Sequence, residues 1–115
     1  MANTYVVTKT QVGLWTVTYA SLLTAETGLS IDLPIDAPMR SVQISGTFGA
    51  GGTVDIQGSN DGSNWFAMWS SFAKADLTGV TAAVLSDMVQ NCKFLRPRVN
   101  GGDGTTNIQV IFAAG

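Results

Sequence analysis

Three segments of this chain alternate apolar and polar residues with a period of two, and no other feature constrains its fold as tightly. In "SVQISGTF" (41–48) Val42, Ile44 and Phe48 stand against Ser41, Gln43, Ser45 and Thr47. In "TVDIQ" (53–57) Val54 and Ile56 stand against Thr53, Asp55 and Gln57, and in "NIQVIF" (107–112) the apolar set is Ile108, Val110 and Phe112. Successive side chains of a strand point to opposite faces, so each segment predicts a strand with one face on a core and the other on solvent or a neighbour. Weaker versions of the pattern occupy 4–8, 14–19 (Trp15, Val17 and Tyr19 on one face), 29–35, 64–69, 80–85 and 94–99. About nine short strands separated by turn signals predict an all-β fold: an antiparallel β-sandwich or jelly-roll-like barrel. A chain of 115 residues fits one domain, 1–115, with 1–12 as an extended N-terminal arm.

Local signals refine this reading. Pro97 cannot donate to a ladder, which predicts that its strand lies at a sheet edge or carries a bulge. Two hairpins turn on glycine, "GAGG" at 49–52 and "NGGDG" at 100–104. A phosphate cradle would need a helix after the glycines, and strand patterns follow instead. Helix is confined to two short candidates, "SLLTAET" (21–27) and "AVLSDMVQNC" (83–92), the second with Leu85, Met88 and Val89 on one side.

Charged residues make up 12% of the chain, about half the usual share, while apolar residues reach 45%. A surface this poor in charge is rich in Ser, Thr, Asn and Gln, or is covered by a partner, or both. Six basic residues and a net charge of −2 argue against nucleic acid, whose phosphates demand clustered Lys and Arg. The densest basic stretch, "KFLRPR" with Lys93, Arg96 and Arg98, reads as ordinary solvated or interfacial charge. Cys92 stands alone, so no internal disulfide forms and the side chain reads as a small apolar residue. No apolar run approaches the roughly 18 residues of a membrane helix, and the N-terminus lacks a secretory signal. The expectation is a chain that folds in a cytoplasm, with no membrane partner.

The absence of histidine removes most catalytic chemistry: no Ser-His-Asp or Cys-His pair, and no His-containing zinc site. The eight acidic residues are scattered singly, which gives no reason to expect a glycosidase pair. No catalytic residue, cofactor or metal is expected. The stretch "GSNDGSNWFAMWSS" (58–71) fails as an EF-hand, because placing Gly62 at the sixth position puts Gln57 first and Met68 twelfth. "SNDG" therefore reads as a turn in which Asn60 and Asp61 bond their own backbone and Gly62 supplies a left-handed position. After it, alternation puts Trp65, Ala67 and Trp69 on one face and Phe66 and Met68 on the other. Both faces are apolar, so this strand is either central to the fold or pressed against another molecule.

Three segments, "RSVQISGTFG", "TVDIQGSNDGSNWF" and "FLRPRVNGGDGTTNIQV", within a region of roughly residues 40 to 113, resemble a pattern found in small tailed-phage virion proteins. In that pattern one strand ends in a G-T-F-G-like turn, a second ends in G-S-N-D-G-x-x-W, and a strand with R-P-x-V leads into a glycine hairpin. The resemblance implies a β-sandwich capsid decoration, or cement, protein: a non-enzymatic component of the outer capsid surface that binds the major capsid protein, commonly as a trimer at threefold positions. Similar sandwiches occur in head fibres and tails, so a carbohydrate- or receptor-binding module is the alternative. Under the decoration reading the expected contacts are Trp65, Phe66 and Trp69, with Tyr5, Val6 and Val7 of the arm.

Overall fold

The computed structural model describes residues 6–11, 14–32, 40–71, 73–90 and 92–114, with the backbone alone for 6–11 and 14. The strands are β1 (Val6–Gln11), β2 (Leu14–Leu22), β3 (Ile31–Asp32), β4 (Arg40–Thr47), β5 (Thr53–Ser59), β6 (Phe66–Ala67), β7 (Trp69–Ser70), β8 (Ala75–Asp76), β9 (Val84–Asp87), β10 (Phe94–Asn100) and β11 (Asn107–Ala114). They form a five-stranded sheet in the order β1-β2-β11-β4-β9, a four-stranded sheet in the order β3-β10-β5-β6, and a β7-β8 ribbon. Every pairing is antiparallel. The fold is the expected all-β sandwich.

Alternation did what it predicted. Val42 and Ile44 of β4, Val54 and Ile56 of β5, and Ile108, Val110 and Phe112 of β11 are all buried. Together with Val17, Tyr19 and Leu22 of β2 and Leu95 and Val99 of β10 they belong to one hydrophobic cluster fed by both sheets. Along β2 the spacing of buried residues slips from two to three between Tyr19 and Leu22. The register shows why: Ile108 faces Leu22 while Val110 faces Tyr19, so β2 carries one extra residue there. This bulge returns Leu22 to the core and leaves Ala20 and Ser21 exposed.

Pro97 lies on an internal strand, paired with Ile56 of β5 in an unbroken register. Its carbonyl accepts from Gly28 N at 2.9 Å, which aims the side of Pro97 that lacks an N–H at the segment joining β2 to β3. That segment pairs with β10 through only the Thr27–Arg98 bridge and two residues of β3, so the missing donor interrupts a ladder that is already broken.

Both helix candidates are overturned: the described residues contain no helix. In 21–27 the chain finishes β2 and turns, with Glu26 Oε1 accepting from Leu23 N at 2.6 Å. In 83–92 it forms edge strand β9, and the three residues expected on one helical side separate, Met88 buried and Leu85 and Val89 exposed. The 64–69 segment, read as one strand, is two. Met68 N donates to Ile56 O and Met68 O accepts from Leu77 N, so the chain leaves β5 at Met68 and pairs onward as β7 with β8.

That change of partner builds a wall along one side of the sandwich. Ser70 Oγ accepts from Ser86 Oγ at 2.7 Å and donates to Asp87 Oδ1 at 3.1 Å, which ties β7 to β9 on the edge of the five-stranded sheet. The wall runs from β6, on the edge of one sheet, through the β7-β8 ribbon to β9 on the edge of the other.

Candidate functional site

The turn "SNDG" is fixed by Asp61. Its carboxylate accepts from Asn64 N, Ser63 N, Asn64 Nδ2 and Ser59 Oγ at 2.8–2.9 Å, bonds that hold its pKa well below the usual carboxylate range. Gly62 takes φ +77°, the left-handed position expected of it. Four donors on two oxygens leave Asp61 poorly placed to ligate a cation. Among the described residues no cluster of three His, Cys, Asp or Glu gathers.

Beyond this turn the aromatic residues part company. Met68 goes into the core at 2% exposure, whereas Phe66, on the same face of the chain, is 69% exposed. The difference follows from position: Phe66 sits opposite Gly58, whereas Met68 lies two residues further along, where its N–H donates to the carbonyl of the fully buried Ile56. Trp65 is half-buried because the Arg96 guanidinium lies over its ring, 4.2 Å from the centroid. Arg96 is held there by Nε donating to Gln57 Oε1 at 2.8 Å. Burial, and then the charge of Arg98, lower its affinity for a proton. Trp69 is half-buried with both backbone groups engaged: its N–H donates to Gln90 Oε1 at 2.8 Å and its carbonyl accepts from Val89 N at 3.0 Å.

Thus the structure places Phe66 and Trp69 in the wall and sets Trp65 against Arg96 of β10, and of the three only Phe66 is largely exposed. Val6 and Val7 lie in β1, opposite Thr18 and Val17, at the far edge of the five-stranded sheet from β9. The arm and the aromatic residues therefore occupy different sides and cannot share one flat contact. Tyr5 lies outside the described residues. Two exposed apolar residues that sequence reasoning placed in a helix, Leu85 (67% exposed) and Val89 (54%), belong to the wall instead.

At the foot of the wall a pocket of about 370 Å³ opens between the "SNDG" turn, β6 and the residues around Gln90. Its floor is apolar and sulfur-bearing, formed by Met68 and Cys92, with the Cys92 Sγ 3.9 Å from the Met68 Sδ. Burial raises the Cys92 pKa, so this thiol stays protonated and unreactive at neutral pH. Phe66 stands at the rim with Asn60, Asn64 and Gln90.

No family model matches this sequence, and no curated protein matches it either. Among solved structures, the crystal structure of SPBc2 prophage-derived protein YomS has a similar fold, with a TM-score of 0.66 over 95% of this chain and 96% of that one, at 10% identity. At that identity the likeness is one of fold.

Proposed function

We propose that this chain is a structural protein of a tailed-phage virion that binds the major capsid shell and reinforces it without catalysis. The observation that carries the reading is the wall, which leaves Phe66, Leu85 and Val89 exposed on a chain with few charges to keep such a side solvated. Support comes also from the fold it shares with a prophage-derived protein, and from a sequence whose lack of histidine leaves little means of catalysis. In this role each copy covers about 1,000 Å² of shell, with apolar side chains of the wall as anchors. Many such contacts, made by trimers at threefold positions, add resistance to heat and internal pressure.

The test is co-sedimentation of the purified protein with mature phage capsid shells that lack it. Wild-type protein is expected to pellet with the shells, and the Leu85→Ser/Val89→Ser double variant to remain in the supernatant. Exposed sites change stability by about 0.5 kcal/mol or less, so the variant should melt close to wild type. Wild-type protein that stays in the supernatant overturns the reading.

A further inference from the structure

The pocket beside the "SNDG" turn has the makings of a ligand site that shell binding does not require. Its three side-chain amides are each oriented by one hydrogen bond and each keep one group free. Asn60 Oδ1 accepts from Lys93 N at 3.0 Å, leaving its NH₂ without a partner among the described residues. Gln90 Oε1 accepts from Trp69 N at 2.8 Å, leaving its NH₂ in the same state. Asn64 donates through Nδ2 to Asp61 Oδ2 at 2.8 Å, which leaves its Oδ1 as an acceptor. Two donors and an acceptor, held by bonds to backbone or to a fixed carboxylate, thus surround a space whose other walls are the exposed Phe66 ring and the Met68–Cys92 floor.

The chemistry of the occupant follows from this arrangement. It must accept and donate hydrogen bonds along one edge and offer an apolar surface to an aromatic ring. It must also be uncharged: no Lys or Arg lines the pocket, and the Asp61 carboxylate on its rim, which stays ionised, repels anions. A cation would find no open ligand there, because Asp61 already accepts four hydrogen bonds. A volume of about 370 Å³ sits at the small end of the range for ligand sites, roughly 300 to 1,000 Å³. We infer that this pocket binds a neutral saccharide, one or two pyranose units whose C–H face stacks on Phe66 and whose hydroxyls meet Asn60, Asn64 and Gln90.

The experiment titrates ¹⁵N-labelled protein with glucose, galactose and N-acetylglucosamine, and follows the side-chain NH₂ resonances of Asn60 and Gln90. At least one sugar is expected to move both pairs, while backbone signals of β1 and β2, across the sandwich, stay in place. Phe66→Ala is expected to weaken that binding about tenfold, and Phe66→Trp, which enlarges the stacking face, to preserve or tighten it. Phe66 is 69% exposed, so neither change endangers the fold. Three results overturn the inference: no movement of either NH₂ pair with any sugar at high-millimolar concentration, movement that survives Phe66→Ala unchanged, or movement with a nucleoside such as uridine but with none of the sugars. Shell binding by the same protein would be untouched by such a failure, since that assay reads Leu85 and Val89 and not the pocket.

Discussion

A carboxylate that accepts several hydrogen bonds in the folded state must break or weaken them to take up a proton, and Asp103 is in that position. Its oxygens accept from the Thr105 hydroxyl at 2.6 Å, Ala50 N at 2.8 Å and Thr105 N at 2.8 Å, which bring its pKa down to about 2 from an ordinary 3.8. Because the folded value lies below the unfolded one, these bonds contribute fully above about pH 4 and are lost as the pH falls through about 2. The melting temperature of the wild-type protein is therefore expected to fall between about pH 4 and pH 2. Asp103→Asn, which cannot titrate, should melt lower at neutral pH and show a shallower acid decline; an unchanged acid profile would remove Asp103 from the account. Asp61 adds to the wild-type decline with the same sign, since its pKa is also depressed. The two aspartates differ in how well sequence disclosed them. Asp61 bonds residues within three positions of itself, so a local motif revealed its role. Asp103 joins the second glycine hairpin to Ala50 of the first, 53 residues away, and no local pattern encodes a partner at that distance.

At the level of elements, sequence spoke clearly where one face of a strand meets the core and poorly where an element is held from both sides. β4 and β11 alternate because burial on a single face demands it, whereas β5 keeps the alternating sequence although Asp55 on its polar face is also covered, by Thr78 and Gly79. The wall does not alternate: its strands are two to four residues long, change partner at Met68, and are positioned by Ser70, Ser86 and Asp87 rather than by a continuous ladder. A 3.6-residue period over Leu85, Met88 and Val89 was consequently a coincidence of three apolar residues, two of them facing outward. Glycine within an element carries a sharper constraint. Gly46 pairs with Ile108 at φ +117°, and a Cβ there would sit 2.4 Å from Asn107 O, part of a backbone that cannot move aside without disturbing β11. Gly46→Ala should therefore cost more than about 2 kcal/mol in urea unfolding, combining the left-handed penalty with a clash. Gly51→Ala is the control: it shares a positive φ of +74° but meets nothing within 4 Å, and should cost about 1 kcal/mol. Equal losses for the two would show that backbone conformation alone accounts for Gly46.

Over the whole molecule, the question is whether the wall folds with the sandwich or only leans on it. Ile56 connects the two. Its side chain is fully buried in the shared cluster, while its backbone carbonyl accepts from Met68 N at 2.9 Å and its N–H donates to Leu77 O at 2.8 Å, both residues of the wall side. Tryptophans report on both regions: Trp15 packs against the core from β2, Trp65 lies on Arg96 of β10, and Trp69 stands in the wall. If the cluster makes one cooperative unit, Ile56→Ala should lower stability by about 2–5 kcal/mol, the usual range for truncating a buried isoleucine. Tryptophan fluorescence and far-ultraviolet circular dichroism should then give coincident urea transitions for wild type and variant, both shifted by the same amount. The wall is small, but Met68 and Leu77 carry it into the core at 2% and 4% exposure, burying apolar surface that local melting would have to expose. A fluorescence transition that moves to lower urea than the dichroism transition would mean that the wall melts first. It would then be the least stable part of the molecule, and a shell or sugar that binds there would gain part of its effect by holding the wall in place.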